Sequence, residues 1–563
     1  MSREVLQQTI DSEIKSLEES VRALKLRRNQ LSPISSLPPE VFLAIFSLLW
    51  PGGGRRPDSD NDHLTRLSIS HVCHQWREIA LDIPLLWSHV DFFAQAAAGT
   101  AEILARAKSA PLYFEASAGH RWDDVRFSTF QNELRTRAAH ICHLRISAKP
   151  LYLQRAAKEL VSPAPTLEYL ELTSHSSGRS RRRIWVPSAR IPDTLFNGCT
   201  PRLSHLELRC DISWKSPLLK GLKHLEIITP FGHARPLLTV WLDALGEMTQ
   251  LKTLILREAS PIARYLPFDV ERERVITLPS LNRFDISGSL VDCTLALAYL
   301  DLPALTTLCL SAIFSRKHSV DDVKTLVPYI ARHAHGLQDT QPLQSVLIRS
   351  EKFRIEILAW PVPDIDVQVY NQPAKPLPTR MALAFKGRSL GFDEPLVVLA
   401  GLPLSGLVVL SIHKLSRRPH NNFWLHHSPK WPLLQRVLLS PYIAPGLIEM
   451  LKDDGGRGRP LLPSLTELIM VDFSLYDLTR LSLPDALRAR VEQGVPVKRV
   501  DLRICHDDVR AGDWLQNFSE SFNVLVPEEF PARQQMRSMW WTVARGPFVN
   551  DEDGWSISDD EDE

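Results

Sequence analysis

Histidine, cysteine and clustered arginine are the side chains of this chain with the widest chemical reach, and their spacing argues against catalysis. His71 and His74 flank Cys73, but no second group at ligand spacing accompanies them. His333 and His335, and the pair His426 and His427, stand among polar residues and read as loop histidines. The seven cysteines are scattered without a C-x-x-C pair, which reads as reduced thiols and not as a disulfide framework. Phosphate and dinucleotide loops and the H-E-x-x-H helix do not occur in the sequence. No catalytic residue, cofactor or metal is expected.

Charge gives the same answer. Lys and Arg number 66 against 65 Asp and Glu, a net +1 that disfavours a dedicated nucleic-acid or membrane-surface protein. The first residues carry no apolar signal core, and the longest aliphatic runs are far too short to span a bilayer. A protein of the cytoplasm or nucleus, without nucleic-acid or membrane partners, is expected. Arg179 and Arg181 to Arg183 form a basic run in a serine-rich stretch, either a solvated loop or a contact for nuclear import or an acidic partner. Near the end, Trp540, Trp541 and Phe548 suggest a packed cap. Asp551 to Asp553 and Asp559 to Glu563 then form a run too charged to fold. Ser556 and Ser558 each have an acid three residues on, the pattern of an acid-directed kinase site or simply of a solubilising tail.

The constellation with most chemical content is a ladder of single positions. A six-residue pattern, an apolar residue (usually leucine), two variable residues, an apolar residue, one variable residue and another apolar residue, occurs twelve times between Ile141 and Leu502. If each is a strand with its apolar residues inward, the residue between the last two faces out. Reading these off gives Arg145, Glu171, Glu207, Glu226, Ile255, Asp285, Cys309 and Leu347, then Ser411, Leu438, Ile469 and Asp501. Acidic groups early and apolar groups later predict a graded surface. Like charges stacked on neighbouring strands are unfavourable, so a basic ligand would relieve them. Arg209, Arg257, Lys223 and Lys252 are near enough in sequence to do the same from within. Glu171, Glu207, Glu226 and Ile255 are the candidate target-binding residues.

The pattern resembles the strand segment of leucine-rich repeats, in which no repeat buries its leucines alone and stacking is required. Its spacing is irregular and Ile348 to Leu407 holds no clear copy, so degenerate strands near Val367 to Tyr370 and Met381 to Phe385, or an insertion, are expected there.

Ahead of the repeats lie two helical stretches. Residues 4 to 31 place Leu6, Ile10, Ile14, Leu17, Val21, Leu24 and Leu31 at three-and-four spacing with a lapse at Arg28. This is either a weakly dimerising helix or one amphipathic helix docked on the rest of the chain. Next, Leu37-Pro38-Pro39-Glu40 suits a helix start, since proline fits the first turn and an acid meets the positive end of the helix dipole. Val41, Phe42, Ile45, Phe46, Leu48 and Leu49 then cover more than one helix face. A second helix is expected with Ile69, Val72, Trp76 and Ile79 on one stripe, stopped by Pro84 before the apolar knot Leu85-Leu86-Trp87. So small a module cannot enclose this many large apolar groups, so a partner protein or the rest of the chain must cover them.

Four ordered pieces, Leu37-Pro38-Pro39-Glu40, Ile45 to Leu49, Val72 to Arg77 and Pro84 to Trp87, resemble the F-box, most closely that of F-box-like proteins of mushroom-forming fungi. The resemblance implies an α/β chain. Residues 1–31 form a helix, 32–92 a small all-α F-box module with an inserted loop at 51–66, and 93–548 an irregular leucine-rich-repeat-like solenoid with parallel strands and a C-terminal cap. Residues 549–563 form a disordered acidic tail. It further implies a non-enzymatic substrate-recognition subunit of a Skp–cullin–F-box ubiquitin ligase, or an interaction scaffold with no ligase role. On the family's pattern Leu37, Pro38, Glu40, Ile45, Leu48, Val72, Trp76 and Trp87 build or brace the surface that docks a Skp-type adaptor and, through it, cullin. An unknown target would lie on the solenoid, and a second copy of the chain would pair weakly through residues 4–31.

Overall fold

The computed structural model describes residues 3–48, 68–93, 96–117, 124–175, 189–229, 235–261, 274–314, 320–338, 342–351, 354–363, 380–387, 393–413, 423–452, 460–474, 478, 480–506 and 512–526. The basic run at 179–183, the inserted loop at 51–66, Val367 to Tyr370 and everything after residue 526 lie outside these. The chain divides into two units, Met1–Leu222 and Lys223–Glu563.

The first unit opens with helices. α1 (Arg3–Gln30) runs to a short 3-10 turn at Pro33–Ser36, followed by α2 (Pro39–Ser47) and α3 (His74–Leu81). Five parallel strands come next: β1 (His89–Asp91), β2 (Leu112–Ser117), β3 (Ile141–Ala148), β4 (Tyr169–Ser174) and β5 (His205–Arg209), each paired with the one before it. Helices Ala97–Ala107, Asp124–Arg137 and Pro150–Glu159 connect them. The rings of Phe92 and Phe130 meet at 5.2 Å and those of Phe114 and Phe130 at 5.8 Å, which joins the strand face to the connecting helices.

The second unit comprises β6 (His224–Ile228), β7 (Thr253–Arg257), β8 (Ile276–Thr277), β9 (Arg283–Ser289), β10 (Leu300–Asp301), β11 (Thr307–Ile313) and β12 (Ser345–Glu351), then β13 (Arg354–Trp360), β14 (Met381–Lys386), β15 (Val409–His413), β16 (Arg436–Leu439), β17 (Glu467–Ser474), β18 (Arg499–His506) and β19 (Val524–Leu525). Its sheet runs β6-β7-β9-β11-β14-β13-β12-β15-β16-β17-β18-β19, while β8 and β10 form a separate pair. Pairing is parallel except where β13 runs against β12 and β14.

The repeat pattern maps onto this backbone residue by residue. Its leading leucine closes a turn: the N–H groups of Leu167, Leu203, Leu281, Leu305, Leu434 and Leu465 donate to the carbonyl three residues earlier at 3.1–3.3 Å. The second residue of each turn is proline (Pro165, Pro201, Pro279, Pro303, Pro432 and Pro463), whose fixed φ suits that position. The next residue then ties the repeat to its predecessor. Ser204 donates to Glu168, Asn282 to Lys252, Thr306 to Asn282 and Thr466 to Gln435, all at 2.8–3.0 Å. The two apolar positions that follow, such as Leu170 and Leu172 or Leu206 and Leu208, are fully buried.

The stretch without a clear repeat holds β14, which covers the expected Met381 to Phe385, and the antiparallel β13, which the pattern missed. β13 is only two residues beyond β12 and folds back on it, so β14, not β12, lies beside β11. Gly387 ends β14 where a Cβ would lie 2.7 Å from the Cβ of Phe314 and 2.8 Å from its carbonyl oxygen. Because the obstruction includes backbone, Gly387→Ala is expected to destabilise the protein by about 1–3 kcal/mol, read as a lowered thermal midpoint. An unchanged midpoint would mean that β14 and β11 do not approach this closely.

Candidate functional site: the apolar helices and the strand-face ladder

α2 begins as its sequence dictates. Pro38 stands extended at the N-cap, Pro39 occupies the first helical position, and Glu40 lies in the first turn. Phe42 and Phe46, one turn apart, are buried. Trp76 of α3 packs on both, at 5.7 Å from Phe42 and 5.3 Å from Phe46. The Gln75 amide donates to the Ser35 carbonyl at 3.1 Å, tying α3 to the segment before α2.

That aromatic contact consumes one stripe of α2 and leaves the adjacent one uncovered. Val41, Ile45 and Leu48 recur at four and three residues and are all exposed, Leu48 by 83 %. Val72 is 58 % exposed, and Ile34, Leu43 and Leu85 are exposed as well. Leu37 is half-buried, while Pro38 and Glu40 face solvent. Trp87 is buried: its indole N–H donates to the Ala80 carbonyl at 2.8 Å, and the Arg106 guanidinium lies 4.6 Å from its ring centre. Trp76 and Trp87 therefore brace the module from inside.

The expected helix carrying Ile69, Val72, Trp76 and Ile79 on one stripe is not continuous. Cys73 is extended (φ −157°, ψ 172°) and caps α3, so Ile69 and Val72 belong to the preceding turn. This break puts Val72 outside while Ile69 stays buried.

The F-box-like family matches residues 34–93, the stretch that holds α2, α3, the Pro84–Trp87 turn and β1. The chain carries an F-box-like domain. Such domains are protein–protein interaction modules that generally bind Skp-type adaptors, and an uncovered apolar stripe beside a closed aromatic core is physically suited to that role. No curated protein matches the chain.

The ladder positions align as expected, within each unit. In the first, Arg145, Glu171 and Glu207 are neighbours across β3 to β5, and Asp91 and Glu115, which the pattern did not include, extend the row over β1 and β2. Arg145 bridges two of the acids, with Nε 2.6 Å from Glu171 Oε2 and Nη1 3.1 Å from Glu115 Oε1. Tyr169 donates its hydroxyl to Glu171 at 2.9 Å. Neutralisation of Glu171 thus comes from Arg145, a group within the ladder itself. Beside this row His89, Tyr113, His143, Tyr169 and His205 also align, and the rings of His143 and Tyr169 stack at 3.9 Å and 3°. Burial, reinforced by the Arg145 charge, lowers the His143 pKa to about 4, so this stack adds no positive charge at neutral pH. Of this row, His143, Tyr169 and His205 stand two residues before ladder positions, whereas His89 and Tyr113 lie ahead of the first copy of the pattern.

In the second unit Glu226, Ile255, Asp285 and Cys309 align, and Leu347, Ser411, Leu438, Ile469 and Asp501 continue the row beyond β13. Here the expected graded surface fails. Cys309, Leu347, Leu358, Trp360, Ala382 and Ala384 form one buried cluster, and Val409, Leu438, Ile469 and Val471 another. These residues are apolar because both faces of the strands are covered, not because they present a greasy surface. Of the four candidate target residues, Glu171 and Ile255 are only 9 % exposed, whereas Glu207 and Glu226 are half-buried.

His333, His335, His426 and His427 differ from their expected loop setting, whereas His74 is a helix-surface histidine. His74 is exposed, with Nδ1 3.3 Å from Glu78 on α3. His333 and His335 lie in the helix Val320–Gln338, and His427 ends the helix Phe423–His427. His333 and His427 are buried. Burial, with the Arg332 charge second, lowers the His333 pKa from 6.5 to about 4. Between these values the unfolded chain binds the proton and the folded one does not. The stability from this neutral imidazole is therefore full above pH 6.5 and is lost as pH falls towards 4. His333→Gln is expected to lose less stability than the wild type on acidification from pH 7 to 5, by on the order of 2 kcal/mol. Parallel denaturation profiles for the two proteins would contradict a buried neutral His333.

Proposed function

We propose that this chain is the substrate-recognition subunit of a Skp–cullin–F-box ubiquitin ligase. The observation that carries the reading is the exposed Val41–Ile45–Leu48 stripe within a matched F-box-like domain whose own aromatic core is already closed. Leu37, Pro38, Glu40, Ile45, Leu48 and Val72 would touch the Skp-type adaptor and through it engage cullin, with Trp76 and Trp87 holding the surface in shape. The strand repeats, which we read as irregular leucine-rich repeats of the mushroom-type F-box-like family, would hold a target protein. On the first unit's strand face four carboxylates align with one arginine, which supports a target segment of basic character, with Glu171 and Glu207 on that face; Glu226 and Ile255 belong to the second unit's row. Such a subunit is no enzyme. It works by proximity and orientation in the cytoplasm or nucleus, supplying no bond chemistry. The seam of α1 is assigned to weak pairing of two copies.

The test uses exposed positions, because Trp76 and Trp87 are needed for folding. Leu48→Asp/Val72→Asp is expected to keep the wild-type circular dichroism and thermal midpoint and to bind a purified Skp-type adaptor at least about tenfold more weakly. Wild-type protein that is folded yet fails to retain the adaptor would overturn the reading, as would undiminished binding by the variant.

A further inference from the structure

None of the 28 residues of α1 is buried. Its seam residues stand open to solvent, Leu17 by 66 % and Leu24 by 67 %. A helix with an apolar seam and no cover among the described residues calls for a partner, and the charges along α1 specify which one. Residues 3–20 carry five carboxylates and two cations, whereas residues 21–31 carry four cations and no carboxylate. The helix is therefore acidic at one end and basic at the other.

We infer that α1 pairs with α1 of a second copy of this chain, and that the two helices run antiparallel. This rests on the reading of α1 as a self-associating helix and adds its orientation. In a parallel, in-register pair Arg28, which interrupts the apolar seam, would face Arg28 of the second copy inside the contact. Glu13 would also flank Glu18 of the second copy, so both features oppose that arrangement. In the antiparallel pair with full overlap, Ile14 layers on Leu24, Leu17 on Val21 and Ile10 on Arg28. The flanking pairs are then Asp11 with Lys25 and Glu13 with Arg27, each occurring twice by the two-fold symmetry, against one like-charge pair, Glu18 with Glu18, on the axis. Arg28 lands beside Asp11 of the second copy, which explains a basic residue at a seam position. The helical overlap from Gln8 to Gln30 spans about 33 Å at 1.5 Å per residue. That is short for a coiled coil, so the pair is expected to be concentration-dependent.

Light scattering on the full-length protein at rising concentration tests pairing: the mass should approach twice 63.9 kDa. Lys25→Glu/Arg27→Glu should abolish the increase, and adding Asp11→Lys/Glu13→Lys in the same chain should restore it. Orientation is read by oxidative cross-linking, with wild type as the control for native cysteines. An Ile14→Cys protein mixed with a Leu24→Cys protein should form the mixed disulfide, while Leu24→Cys alone should not link to itself. A dimer in which Leu24→Cys self-links is parallel and overturns the orientation alone. A mass that stays monomeric at every concentration overturns the self-association as well.

Discussion

No described strand of this protein is long enough to bury its own leucines, and the sheets downstream of β1 follow from that constraint. Each repeat buries its two apolar strand residues, and all but the last bury the apolar residue of the preceding turn as well. A repeat is closed only when a neighbour stacks upon it. The hydrogen bond from the residue after the turn leucine to its counterpart one repeat earlier fixes the register of that stacking. Because the register is fixed, side chains at one repeat position form rows. The Arg145–Glu171 contact and the stacked His143 and Tyr169 rings are consequences of register more than of any local sequence preference.

The F-box-like domain meets the same constraint differently. Phe42, Phe46 and Trp76 make an aromatic group, and the buried Trp87 ties α3 to the helix Ala97–Ala107. After those contacts α2 still has a row of aliphatic side chains in water. In the repeats such a row is covered by the next repeat; here it stays exposed. α1 presents the same situation on a longer helix with strongly polarised charge.

Much of this was legible in the residues. Recurrence of the six-residue pattern, irregularly spaced as it is, pointed to the strands, their direction and their alignment within each unit, down to the rows holding Glu171 in the first and Ile255 in the second. The four ordered pieces between Leu37 and Trp87 located the F-box-like domain. What was not legible depended on contacts between distant segments. β13 carries no repeat leucine and runs antiparallel, because its course is set by pairing with β12 and β14. The burial of Leu438 and Ile469 could not be separated from exposure, since an apolar residue suits both a covered face and a docking surface. The extended Cys73, which turns Val72 outward, breaks an otherwise acceptable helical period and has no residue-level signal such as proline or glycine.

The claim on which the account rests is that the exposed stripe of α2 is a docking surface for an adaptor. Amide hydrogen exchange of the full-length protein, with and without a purified Skp-type adaptor, addresses it directly. The account predicts slowed exchange over Pro39–Ser47 and the turn around Val72, with the strands of the second unit unchanged. Exchange over α2 that is identical in the presence of saturating adaptor would contradict it.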